Sequence, residues 1–187
     1  MSNELLWKTV KLKRKLMSWK VSVLLGTFLA MALFGCKKRA DGGCIPESFE
    51  FKFQQSTTID TTRLVSTDPG VDYFSYTLKP GNKIVFTYKH HFKDCPPVAD
   101  DEGEKTIIFE IPEQSDSFQY NDSVELLSAK TLISYSCFCY PSQPVLLKKG
   151  FIEGTKISNG SWKIKAQLQM PWNIQESVSF DDVFTLQ

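Results

Sequence analysis

The clearest periodicity in this chain lies in residues 161–170, where Trp162, Ile164, Ala166, Leu168 and Met170 alternate with Lys163, Lys165, Gln167 and Gln169. A period of two sends one set to a buried face and the other to solvent, which defines a β-strand. Residues 145–156 precede it across Ile157-Ser158-Asn159-Gly160, and Asn-Gly predicts a tight hairpin because both central positions of such a turn need positive φ. Nearer the N-terminus, Phe49, Phe51 and Phe53 alternate with Glu50, Lys52 and Gln54. Residues 73–78 and 83–89 are rich in aromatic and β-branched side chains, and Lys79-Pro80-Gly81-Asn82 between them predicts a second hairpin. Residues 106–111 form a compact apolar strand ended by Pro112, which has no amide proton to give a ladder. Residues 118–120 and 125–139 read as extended, with one helical turn at 124–129 as the alternative, and Val178, Phe180, Val183, Phe184 and Leu186 supply a closing strand. About eight short strands separated by turn signals predict an all-β fold, an antiparallel β-sandwich in preference to an open barrel.

Residues 1–35 follow a different pattern. Lys8, Lys11, Lys13, Arg14, Lys15 and Lys20 precede an apolar stretch at 21–35 that is interrupted only by Ser22 and Thr27. A basic region followed by about 15 apolar residues is the pattern of a secretory signal and is short of the roughly 20 a spanning helix needs. Met17 offers an alternative start, which would make residues 1–16 an over-long beginning. The stretch closes on Leu33-Phe34-Gly35-Cys36, which resembles the lipobox of bacterial lipoproteins: Leu33, Gly35 and Cys36 match it, while Phe34 is larger than the usual residue there. The resemblance implies cleavage before Cys36, diacylglycerol on its sulfur and an acyl chain on its new amino group. More than one acyl chain anchors stably where a single one does not. Residues 36–47 then read as the lipidated cysteine and a short Gly-containing tether, and residues 48–187 as one domain. Lys37 lacks the aspartate associated with inner-membrane retention, so the resemblance implies an outer-membrane lipoprotein facing the periplasm or the cell surface.

Removing that segment changes the charge. Residues 1–35 hold six of the 22 basic residues and one of the 21 acidic ones, so the remainder carries 16 basic and 20 acidic residues, a formal charge of −4. A mildly acidic domain with two histidines excludes a nucleic-acid partner, which would require a basic patch.

The four remaining cysteines, Cys44, Cys95, Cys137 and Cys139, form an even set, and in an exported chain they predict disulfides. Cys137 and Cys139 stand two apart, a poor bonding geometry, so Cys95 is expected to pair with one of them and Cys44 with the other. The rival chemistry is a soft-metal or thiol-redox centre built from His90, His91, Cys95, Cys137 and Cys139. Asp94, Asp100, Asp101, Glu102 and Glu104 are acidic enough to attract Ca²⁺, but their spacing departs from the calcium-loop pattern and reads as a solvated loop. Trp172 and Tyr140 are candidates for an aromatic platform. No Gly-x-Ser-x-Gly, His-Glu-x-x-His or phosphate-binding glycine loop occurs. The sequence therefore points to a non-enzymatic, lipid-anchored envelope protein without a cofactor other than its lipid, its partners being the membrane and an envelope protein or glycan.

Overall fold

Among the described residues, ten strands and one short helix form the domain. They are β1 (Ser48–Arg63), β2 (Phe74–Pro80), β3 (Lys83–His91), β4 (Glu104–Pro112), β5 (Ser117–Tyr120), α1 (Ser123–Ser128), β6 (Leu132–Ser136), β7 (Val145–Leu146), β8 (Gly150–Ser158), β9 (Ser161–Gln169) and β10 (Ser177–Leu186). The computed structural model describes residues 45–65, 71–94, 103–121, 123–136, 143–171 and 176–187. The chain divides into two units, Met1–Gly43 and Cys44–Gln187, and every described residue belongs to the second.

The strands hydrogen bond in the order β5-β8-β9-β10-β1-β3-β4-β6-β7, with β2 attached to β1. The fold is all-β and sandwich-like: the two wings on either side of β1 turn their apolar faces toward each other. Phe86 of β3 marks the centre, with ring centroids 5.1 Å from Phe109, 5.5 Å from Trp162 and 5.7 Å from Phe184. Residues 162, 164, 166 and 168 of β9 are buried as their alternation predicts, and residues 106–111 of β4 are buried on both faces. A strand covered on both sides reads as a continuous apolar run, which is the pattern of Ile107-Ile108-Phe109.

The pairing differs from a simple antiparallel array in one place. β10 lies antiparallel to β9 but parallel to β1, with Lys52 opposite Thr185 and Phe53 opposite Leu186. Residues 145–156 divide into β7, which pairs with β6, and β8, which pairs with β5 and β9. The β8–β9 hairpin turns at Asn159-Gly160 as predicted, but by another route. The left-handed positions among the described residues are Ser56, Lys130 and Gly150, and a bulge between Lys156 and Ser158 supplies the twist instead. Residues 123–128 are helical where a strand was expected. Glu125 accepts the Asn121 amide at 2.7 Å and Leu126 is fully buried while Val124 is 72% exposed. A strand would have put Val124 and Leu126 on the same face.

The largest departure concerns β2 and β3, which do not pair with each other. β2 pairs with the second half of β1, from Thr57 opposite Pro80 to Arg63 opposite Phe74. β3 pairs with the first half, from Ser48 opposite His91 to Gln54 opposite Val85. β2 and β3 thus form one interrupted partner of a 16-residue strand, and Pro80-Gly81-Asn82 is a kink within it. The matching kink in β1 is Ser56, at φ 50°, where the register slips between Gln54 and Thr57. Gly81 donates its amide to the Ser56 carbonyl at 3.0 Å. A Cβ on Gly81 would lie 2.7 Å from the Thr58 Cβ, so the two chains approach this closely only with glycine there.

Beyond the kink, the β1–β2 ribbon folds over the back of β3, β4 and β6. Ile59 is buried there against Val85, Ile108 and Leu132, forming a second, smaller core. Two glutamates fix the bend. Glu113 accepts the Ser56 amide at 3.1 Å and its hydroxyl at 2.8 Å. Glu110, 5% exposed, accepts the Ile59 amide at 2.7 Å and the Thr58 hydroxyl at 2.9 Å. The Lys130 ammonium lies 3.1 Å from the Glu110 carboxylate and donates to the Ile59 carbonyl.

Glu110→Ala leaves a buried amide and an ammonium without their acceptor and is expected to cost about 3 kcal/mol. Glu113→Ala, acting on exposed groups, should cost under about 1 kcal/mol. Urea denaturation followed by circular dichroism measures both, and equal losses would contradict the clamp at Ile59.

Candidate functional site

The back face of the β3–β4–β6 sheet changes character where the ribbon stops covering it. Val85, Ile108 and Leu132 lie under Ile59. Farther along the same strands, the residues on that face are Thr87 and Lys89 of β3, Glu104 and Thr106 of β4, and Ser134 of β6, all lining one cleft. Tyr76 and Leu78 of β2 form the facing wall, and Gln54 and Gln187 join the lining, to enclose about 330 Å³. The ribbon is held in place at its far end as well: Tyr73 bridges Val145, and the Phe74 amide donates to the Pro144 carbonyl at 2.8 Å. The cleft is open space between two strand layers that the kink sets apart.

Its charges are paired. The Lys89 ammonium lies 3.0 Å from the Glu104 carboxylate, and the Thr106 hydroxyl donates to the same carboxylate at 2.7 Å. Burial alone would raise the Glu104 carboxyl, but the Thr106 hydrogen bond and the positive charges of Lys89 and His91 outweigh it and hold the group below its ordinary value. Burial pushes the Tyr76 phenol up, with Lys89 opposing the shift and Glu104 adding to it. Tyr135, also on the rim, is raised by burial and by the carboxylate of Glu176, to which its hydroxyl donates at 3.3 Å. Hydroxyls, amides and an already neutralised ion pair suit hydrogen bonding to a polar ligand of low net charge.

His90 and His91 are separated by the alternation of β3. His90 stacks on Phe49 with centroids 4.5 Å apart and meets the Glu47 carboxylate. His91 lies on the opposite face between two carboxylates, 3.3 Å from Glu50 and 3.2 Å from Glu104. They do not converge on one centre, and among the described residues no group of three histidine, cysteine, aspartate or glutamate side chains is placed to hold a metal ion. Cys36, Cys44, Cys95, Cys137, Cys139, Tyr140 and Trp172, with the acidic residues Asp100, Asp101 and Glu102, lie outside the described residues. Asp94 faces Ile45 through backbone hydrogen bonds in both directions, 2.7 and 3.1 Å.

The cleft itself escaped the sequence reading. Its residues come from five strands and the C-terminal Gln187 and are individually ordinary. A usable signal was present in β3 and β4, where Val85-x-Thr87-x-Lys89 and Glu104-x-Thr106-x-Ile108 turn from apolar to polar along one face. No family model, curated protein or solved structure matches this chain.

A depressed carboxylate stabilises the fold above its unfolded-state value and loses that contribution as the pH falls through the folded one. For Glu104 the loss begins below its ordinary value of 4.5. Glu104→Gln removes the titrating group, so the fall in urea midpoint between about pH 6 and about pH 3 is expected to be shallower than in the parent. An unchanged acid limb would mean that the pairs with Lys89 and Thr106 do not form in solution.

Proposed function

We propose that this chain is a lipid-anchored protein of the bacterial cell envelope whose β-sandwich is a non-catalytic domain that binds an envelope protein or glycan. The observation that carries the anchoring is the Leu33-Phe34-Gly35-Cys36 sequence at the end of a short apolar stretch with a basic approach. Acyl chains on Cys36 would hold the protein at the outer membrane, facing the periplasm or the cell surface. About eleven residues separate Cys36 from the first strand, a tether of at most about 40 Å when fully extended, so the domain would stay near the lipid surface. Among the described residues no helix is long and apolar enough to cross a membrane, and the lipid is the attachment this reading requires.

The cleft under the β1–β2 ribbon supports the binding half of the reading. It is concave, and its hydroxyls and amides are fixed on strands in a region braced by Glu110 and Glu113. Recognition of a polar, near-neutral ligand such as a glycan or a peptide backbone fits that lining better than recognition of a strongly charged one, because Lys89 and Glu104 already satisfy each other.

Mass spectrometry of the full chain purified from membranes tests the anchor. The expected product begins at Cys36 and carries acyl mass, and Cys36→Ser moves the protein from the detergent phase to the aqueous phase. An unmodified Cys36 with residues 1–35 still attached would overturn the reading. For the cleft, a photo-crosslinking residue at Thr87 is expected to capture an envelope protein or glycan that the same residue at Thr155, on the outer face of β8, does not. Equal capture from both positions would remove the cleft from the proposal.

A further inference from the structure

We infer that the cleft receives an extended, uncharged peptide, which joins the free edge of β2 as an added strand. The inference rests on the reading of the cleft as a binding site and names the chemistry of its partner. Among the described strands β2 pairs with β1 alone, and that pairing fixes where each of its peptide groups points. Leu64 donates its amide to the Tyr73 carbonyl at 2.8 Å, so Tyr73 turns its backbone groups to the β1 chain. Antiparallel pairs alternate, and Phe74, Tyr76, Leu78 and Pro80 therefore turn theirs away from it. Three further observations agree. The Phe74 amide reaches outward to the Pro144 carbonyl at 2.8 Å, Ile59, opposite Leu78, gives its amide to Glu110 and not to β2, and Pro80 has no amide to give.

Among the described residues, the outward amides and carbonyls of Tyr76 and Leu78 meet no partner. Leu78 is 39% exposed, and Thr77 between the two is exposed as well. Strand edges are ordinarily blunted by charge or by proline. Here the proline stands at Pro80, past the open stretch, and the neighbouring Lys79 is engaged by Asp60.

What fits such an edge is another backbone. Pro144 already seats a carbonyl beside it at Phe74. A strand laid along the same line meets two donors and two acceptors, on Tyr76 and Leu78, at the two-residue period of a β-ladder, and a sugar ring has no such period. Its side chains opposite Tyr76 and Leu78 turn to the same side as those residues, into the cleft toward Thr87 and Thr106. The charges there, Lys89 and Glu104, satisfy each other, so the added strand is uncharged at these positions.

The probe is the peptide acetyl-Gly-Thr-Val-Ser-Val-Thr-Gly-amide, added to the full chain in detergent while hydrogen exchange is read at single amides. In the free chain the Tyr76 and Leu78 amides are expected to exchange fast, and those of Ser75 and Thr77, which face β1, slowly. With peptide at about ten times its Kd, exchange at Tyr76 and Leu78 is expected to slow about tenfold. The same peptide N-methylated on adjacent residues, which blocks both of its edges, is expected to have no effect. Leu78→Pro removes one outward donor without touching the β1 ladder, so peptide no longer slows Tyr76 while Thr77 stays slow.

Slow exchange at Tyr76 and Leu78 in the free chain would mean that the edge is already covered, by the chain itself or by a second copy, and would overturn the inference. No slowing at about 5 mM peptide, or equal slowing by the methylated peptide, would overturn it too. Failure of the cleft reading shows separately in the crosslinking comparison of Thr87 with Thr155: a glycan captured at Thr87, with no slowing by peptide, keeps the cleft and removes the added strand.

Discussion

A carboxylate buried beneath a bent strand holds the back of this molecule together. Glu110 accepts from the Ile59 amide and the Thr58 hydroxyl and is neutralised by Lys130. Without it the bend at Ser56 would expose an amide in an apolar place, and burying a polar group unpaired is costly. With it, the β1–β2 ribbon lies over Val85, Ile108 and Leu132, and the cleft exists as the space beyond the ribbon's coverage. The small core and the candidate site thus depend on the same hydrogen bonds.

The main core follows different physics. It rests on aromatic packing across the two wings, with Phe86 meeting Phe53, Phe109, Phe118, Trp162 and Phe184. The aromatic set is tolerant of geometry, mixing stacked and edge-on contacts, and it joins strands far apart in sequence. Phe118 lies over Gly154 of the neighbouring strand, where a Cβ would come within 2.3 Å of its ring. A strand glycine that packs no side chain of its own here receives an aromatic cover from across the pair.

What the sequence made legible was local. Strict alternation in β9 identified its buried face correctly, and the apolar run of residues 106–111 marked the strand β4, whose burial on both faces the structure adds. The kink at Gly81 was read as a reversal, since Lys-Pro-Gly-Asn has the chemistry of both. Only the length of β1 and the left-handed Ser56 decide between them, and neither is a pattern of apolar spacing. The helix at Ser123–Ser128 stood only as the alternative to a strand for a related reason: six residues carry too little periodicity to separate one turn of helix from a strand. The cleft was illegible because its side chains converge from five strands through register, and register is a long-range quantity. The histidines were placed on opposite faces by the same rule of two that made the strands readable.

The parallel contact between β1 and β10 has a consequence for the order in which this protein assembles. β1 and β10 are neighbours, and among the described strands β10 alone joins the β8–β9 hairpin to β1. During synthesis from the N-terminus, the nine other described strands emerge before the one that joins the two wings. Until Ser177–Leu186 arrives, the face carrying Trp162 has no backbone ladder to the face carrying Phe86. Contacts of such long sequence separation form late and slowly. The backbone ladder that unites the two wings therefore closes only when Ser177–Leu186 is in place.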